Sequence, residues 1–255
     1  MHNENSIKVK DAMQNQSAFA AYRALLYGDT SLSYVIRAEL LQSCLSGMPG
    51  AAGILLRSRL YKSLFGHVDG KVIIGRNVVL RHPHKIHLGG GIILDDNCMI
   101  DAKGKDNKGI FLGDGVYVGR NSIVYCKNGD ITLGKRVSVS SSCTLFSSNQ
   151  LIIGEKTLIG SYSYLLSGGE YDTNSETPFA DQDGMETAGP LTIGNNCWLG
   201  ARVTVLDAAG SIGDHCVVGA GAVVTKPIPA DNVAAGVPAH VIKQLKTTTP
   251  LTQKA

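Results

Sequence analysis

The sequence predicts an all-β solenoid of parallel, triangular coils preceded by a helical segment, and three observations carry that prediction. An aliphatic residue returns every six positions in triplets: Leu88, Leu94, Ile100; Leu112, Val118, Val124; Leu133, Val139, Leu145; Ile153, Ile159, Leu165; Ile193, Leu199, Val205; Ile212, Val218, Val224. The residue after the first member of each triplet is glycine, at 89, 113, 134, 154, 194 and 213. Before about residue 66 this period is absent and helix-like spacing takes its place.

Each element follows from its own pattern. Three helices are predicted over Ala18–Leu26, Leu32–Leu45 and Ala51–Phe65, with apolar pairs four apart such as Ile36 and Leu40, and a break at Met48-Pro49-Gly50. A partial coil, marked by Ile74 and Leu80, opens the solenoid. Three steps of six then make one coil, a prism with one aliphatic residue pointing inward per side. The glycines are assigned to corners, where a missing Cβ permits a sharp turn. The predicted organisation is a helical cap over residues 1–66, a β-helix over 67–245 and a tail over 246–255.

Composition narrows the function. Thirty glycines in 255 residues exceed the usual share of roughly 7%, but without the strict three-residue period of collagen. A net charge of +3, with no basic run, argues against a nucleic-acid partner. The opening MHNENSIKVKD lacks the apolar core of a secretory signal, and the stretch from Gly47 to Leu56 falls well short of the ~18 apolar residues of a membrane span. The expected location is the cytoplasm. Peripheral contact with the inner face of the membrane is open through the N-terminal helices, where Arg23, Arg37, Arg57, Arg59 and Lys62 stand among leucines; capping the open end of the solenoid is the favoured role of that segment. Cys98, Cys143, Cys197 and Cys216 each lie two residues before an inward aliphatic, which marks them as small packing residues.

The insertions share one phase. Spacing within every triplet is six, whereas the step to the next triplet is longer, from seven at Val205–Ile212 to twenty-eight at Leu165–Ile193. All insertions therefore fall on one edge of the prism, the usual location of a binding face. That edge carries Arg81-His82-Pro83-His84, Asp101-Ala102-Lys103, Tyr125-Cys126-Lys127, Phe146-Ser147-Ser148 and Leu166 to Pro190.

The run LTIGNNCWLGARVTVL, followed by SIGDHCVVGAGAVVTKPIPADNVAAGVPAHVIK, resembles the left-handed β-helix hexapeptide-repeat acyltransferases, in particular the sugar O-acetyltransferases. The likeness covers roughly residues 72 to 245, and the segment from MPGAAGILLRSRLYKSLF to RHPHKIHLGGG resembles enzymes that decorate bacterial surface polysaccharides. Left-handedness comes from this resemblance alone. The resemblance implies a homotrimer with acetyl-CoA as co-substrate in the groove between neighbouring prisms, and a sugar or glycan acceptor. It places Ala201 and Ala220 against the pantetheine arm, Thr225 and Lys226 at the cofactor, and His240 and Lys243 near the nucleotide phosphates. Small residues beside the arm suit a ligand that approaches the backbone.

Alignment of Ile159 to Gly169 puts Glu170 where the family carries its catalytic histidine. A carboxylate of ordinary pKa ~4.3 is a weaker base near neutrality than a histidine near ~6.5, but burial and the adjacent Asp172 would raise it. Glu170 is therefore the candidate general base with Asp172 as its neighbour. The competing reading is a catalytically silent trimer that binds CoA or glycan as a scaffold. Ser147 and Ser148, one coil below, are the candidate groups to hold an acceptor or an oxyanion; Trp198 lines the cofactor groove or simply covers a corner. His82 and His84 lie four coils below Glu170, roughly 19 Å away at ~4.8 Å per strand, too far to replace it, and are assigned to packing around Pro83. No histidine stands between Ile92 and Val205, which argues against a zinc site of the carbonic anhydrase type.

Overall fold

A computed structural model of the protein describes residues 17–182 and 186–245; the predicted tail over 246–255 lies outside them. The predicted periodicity is realised as three parallel sheets that form the faces of a prism. In chain order within each coil, they hold seven, nine and seven strands. The first face stacks Leu88, Leu112, Leu133, Ile153, Ile193 and Ile212 in register. The second stacks Leu94, Val118, Val139, Ile159, Leu199 and Val218. The third runs from Leu80 through Ile100, Val124, Leu145, Leu165 and Val205 to Val224. All are buried and make one continuous core. Inward side chains alternate with outward ones along each strand, so a register slip would turn these columns outward, and the repeat itself fixes the register.

The glycine column is real, but its cause differs from the expectation. None of Gly89, Gly113, Gly134, Gly154, Gly194 or Gly213 has a positive φ. The left-handed corner residues come two positions later in the chain: Arg136, Lys156, Asn196 and His215, at φ between 53° and 58°. What excludes a side chain at the glycine is the coil above. A Cβ on Gly134 would stand 2.9 Å from the Glu155 nitrogen, and one on Gly194 2.5 Å from the Asp214 nitrogen. Close stacking, not turning, selects glycine there.

The helices form at Ala18–Leu26, Leu32–Leu45 and Gly50–Leu60, the last passing into a 3-10 turn over Tyr61–Leu64. The Ser17 and Ser31 side chains accept from Ala20 and Tyr34 N–H groups and start the first two. Together they close the first coil. Asn77 N–H donates to Ser46 O at 2.8 Å, His82 N–H to Leu26 O at 2.7 Å, and Leu80 N–H to Gln42 Oε1 at 3.3 Å. Those donors would otherwise form an open sheet edge. Arg57, 1% exposed, ties the cap to the coil: Nε donates to Ile74 O at 3.0 Å and Nη1 to Leu45 O and Met48 O at 2.9 and 2.7 Å. No helix among the described residues is long and apolar enough to cross a membrane. At the far end, His240–Gln244 pairs antiparallel with Asn232–Ala235 and finishes the second face.

The six cysteines are unpaired, and all but Cys44 are buried. Cys143 and Cys197 direct their thiols at the carbonyls of Gly160 and Gly213, at 3.2 and 3.1 Å. Burial pushes Cys98 up to about 12 and Cys197 to about 11, so both are inert thiols at neutral pH.

Candidate functional site

Two edges of the prism carry the predicted residues. The corner between the second and third faces is a column of small residues, one per coil. Tyr162 N–H donates to Ser141 O, Arg202 N–H to Ser161 O and Gly221 N–H to Ala201 O, at 2.9–3.1 Å, which stacks Ser141, Ser161, Ala201 and Ala220 above one another. Ala201 and Ala220 are exposed. Ala235 stands above Gly219, and His240 pairs with Ala235 across the closing strand. Ala201 and Ala220 thus stack on one corner at about 4.8 Å per step, and His240, opposite Ala235, stands beside the same corner one residue out of line. Lys243, opposite Val233, lies further back on the second face; both it and His240 are exposed. Trp198 is 56% exposed on that face, between Leu158 and Val217 in the stack.

The insertion edge lies between the third face and the first. Thr225 and Lys226 sit there, immediately after Val224, so the structure separates them from the alanine corner by the width of the third face. From Ala201 to Asp207 that width is on the order of 15–20 Å at ~3.3 Å per extended residue. Glu170 and Asp172 belong to the same edge, on the loop that leaves Ser167.

This loop is anchored at its two ends. Glu170 and Glu186 exchange backbone hydrogen bonds of 3.0 and 2.5 Å. Asp207, 1% exposed, accepts from Gly168 N–H at 2.5 Å and from Ala188 N–H, with Thr187 Oγ1 at 3.4 Å. Further out, Gln182 binds both sides of the Asp172 backbone: Asp172 N–H donates to its Oε1 and its Nε2 donates to Asp172 O, each at 3.0 Å. The Asp172 carboxylate accepts from Asn174 N–H at 2.8 Å, and the Tyr171 ring meets Phe179 edge-on at 6.2 Å. The Glu170 side chain is exposed, so this chain alone does not bury it.

Ser147 and Ser148 lie one coil below the loop, paired with Ser167 and the following step. Ser147 is fully buried, and neither hydroxyl has a hydrogen-bond partner among the described residues. Ser148 Oγ is covered by Gly168, which leaves no room there for a side chain. Asp207 was not singled out from the sequence. Its signal was a lone acidic residue in VLDAAG, at the shortest insertion on the edge. Lower on the same edge, His82 faces Asp101 Oδ1 at 3.1 Å, with its other ring nitrogen toward Ala24 O at 3.4 Å, and His84 packs edge-on against Tyr34. His215 is half-buried and bonded to Asp231 at 2.9 Å. No group of three metal-ligating side chains occurs among the described residues.

Known proteins share this pattern. Residues 190–226 match the model of a family described as the hexapeptide repeat of succinyl-transferase. Galactoside O-acetyltransferase of Escherichia coli K12 is 33% identical over 123 residues, 48% of this chain and 58% of that protein. A protein of Staphylococcus aureus strain MRSA252, named as a candidate acetyltransferase, is 36% identical over 122 residues and 58% of its length. The chain thus spans little more than half the length of these relatives. Among solved structures, AntD, an N-acyltransferase from Bacillus cereus in complex with dTDP and 3-hydroxybutyryl-CoA, aligns over 74% of this chain and 88% of its own, at 16% identity and a TM-score of 0.50. At that identity the likeness concerns the fold, the left-handed β-helix.

Proposed function

We propose that this chain, whose residues 190–226 match the hexapeptide-repeat model, is an acetyl-CoA-dependent O-acetyltransferase. Its acceptor is a sugar hydroxyl, of a bacterial surface polysaccharide or its precursor. The observation that carries this reading is the exposed corner on which Ala201 and Ala220 stack, with His240 beside it. A pantetheine arm suits such a run of short side chains, flanked here by the exposed Tyr162 and Arg202, and His240 with Lys243 would supply charge for the phosphates at its end.

The candidate base lies on the opposite edge of the third face. Glu170 and the alanine corner would therefore meet only where two copies adjoin, and a closed homotrimer brings each corner against a neighbour's loop. Enclosure between copies would also take the exposed Glu170 out of bulk water. In the reaction, the acceptor oxygen attacks the thioester carbon while Glu170 takes its proton, and the CoA thiolate leaves; most of the acceleration is positional. Asp172 stands beside the base, Ser148 lies nearest the loop among the serines, and Thr225 with Lys226 extends the cofactor surface of the loop edge. Trp198 is the exposed aromatic beside the corner.

One observation favours a second reading, a silent scaffold that binds CoA or glycan: in the single chain Glu170 is open to solvent. Acetyl transfer from labelled acetyl-CoA to an oligosaccharide panel, with CoA binding measured by calorimetry, separates the two. Glu170→Ala is expected to abolish transfer and keep CoA binding. Full activity in that variant removes Glu170 from the mechanism, binding without transfer by the parent protein favours the scaffold, and failure to bind CoA removes the cofactor groove.

A further inference from the structure

The lower part of the insertion edge holds a second feature, well away from the loop of Glu170. A cavity of about 200 Å³ lies between the turn that joins the first two helices and the first three coils, lined among others by Thr30, His84, Lys103, Lys105 and Lys127. Its walls are braced from behind. Lys85 Nζ donates to Gly104 O at 2.8 Å, Lys105 O at 3.2 Å and Asn107 Oδ1 at 3.0 Å, while Lys105 N–H donates to Asn128 Oδ1 at 2.7 Å. The buried carboxylate nearby, Asp101, is engaged by His82 at 3.1 Å and faced by Arg81 at 3.9 Å.

Three features of the lining point to an anion. Lys103 and Lys105 come from one insertion and Lys85 and Lys127 from the coils on either side, so positive charge runs along the edge for about 10 Å at ~4.8 Å per coil. Two buried polar atoms in the wall, His84 Nδ1 and Thr30 Oγ1, have no hydrogen-bond partner among the described residues. Such orphans are costly unless a ligand or water satisfies them. Lys103 is half-buried, and burial lowers its pKa and that of Lys85, the mark of ammonium groups denied part of their hydration. Asp29 is the lining residue of opposite sign, and it is exposed at the rim.

We propose that this cavity is a binding site for a phosphate-bearing ligand, a phosphomonoester or diphosphate, held by Lys103 and Lys105 with Thr30 and His84 at its inner wall. Lys103 and Lys105 on one insertion, with Lys127 one coil further on, match the several oxygens of a phosphate or diphosphate better than a single carboxylate. The inference stands on the cavity and not on the transferase reading.

Calorimetric titration of the whole protein with inorganic pyrophosphate, without CoA, tests it. The expected result is saturable one-to-one binding that weakens as salt is raised. The double substitution Lys103→Ala and Lys105→Ala should weaken it about tenfold or more, the scale of one lost charge-assisted hydrogen bond. Asp29→Asn should instead tighten binding, which keeps the test decisive if the double variant folds poorly. Glucose 1-phosphate and vesicles containing phosphatidic acid, offered separately, tell a soluble ligand from a lipid headgroup. Absence of saturable binding, or an unchanged affinity in both variants, would overturn the proposal. CoA binding is read in a separate titration, so failure of the cavity and failure of the transferase reading give different results.

Discussion

The carboxylate of Asp207 receives the backbone N–H of Gly168 at 2.5 Å, although the two residues lie thirty-nine positions apart. The same carboxylate takes the N–H of Ala188. One buried acid on the coil above thus gathers both ends of the longest insertion in the protein, and the placement of Glu170 depends on it. Asp207→Ala should leave the buried Gly168 N–H unpaired, at about 1–3 kcal/mol, and release the more exposed N–H of Ala188. The expected outcome is a lower melting temperature together with faster proteolytic cleavage within 170–188. Unchanged cleavage would show that the loop holds its shape without the anchor.

If the corner column and the loop meet only between copies, two dead chains should rescue each other. Ala220→Trp fills the corner of one chain, and Glu170→Ala removes the candidate base from another. Each homogeneous protein should be inactive, whereas the co-expressed mixture should recover a measurable part of the transfer rate. No recovery in a mixture shown to be hetero-oligomeric would place both groups in one chain's site.

The guanidinium of Arg57 reaches carbonyls on both sides of the junction between cap and coil, which a single ammonium cannot span. Arg57→Lys should therefore cost about 2 kcal/mol or more. Because stacked coils unfold as near-neighbour units, the helical circular dichroism should be lost before the fluorescence of Trp198, which lies on a distant coil. Coincident transitions would mean that the cap and coils unfold as one.

The glycine column offers a graded test. Gly194→Ala sets a Cβ 2.5 Å from the Asp214 nitrogen, so the coil above must move, at a cost of about 1–3 kcal/mol. Gly47→Ala, whose Cβ would find its nearest neighbour at 3.7 Å, should be close to neutral. Denaturant midpoints of the two variants decide the matter.

Burial lowers the pKa of His84 to about 4 from 6.5, with repulsion from His82 and Lys85 in the same direction. As pH falls, the unfolded chain takes up this proton first, so the histidine subtracts stability progressively from about pH 6.5 toward pH 4. His84→Gln should flatten that part of the stability profile. An unaltered profile would assign the acid sensitivity to other groups.

The inward register was legible in the sequence because the inward aliphatics recur at a fixed step and two corners of every coil have fixed length. Leu80 through Val224 therefore line up as the sixfold spacing predicts. The helices were legible from apolar pairs four apart, whereas the serine caps of the first two came only with the structure. The site was legible only as an edge. Glu170 could be placed by alignment, but its exposure depends on how the loop leaves the prism, which follows from long-range contacts. Asp207 was hidden because its partners are backbone N–H groups, which leave no trace in sequence. Arg57 looked like one basic residue among several, since nothing local distinguishes a guanidinium turned inward. The glycines were found correctly, yet for a reason that only the neighbouring coil reveals.

The two ends of the stack differ in kind, and each carries a segment that departs from the repeat. Parallel strands in register at a constant spacing are also the geometry of a fibril, and a bare terminal coil would offer its unpaired backbone to the next molecule. Here helix carbonyls and the Gln42 side chain occupy the first edge, and one reversed strand ends the second face. A repeat that could in principle extend without limit is thereby kept to a single particle of defined height. Deletion of either lid should expose that latent capacity for endless growth.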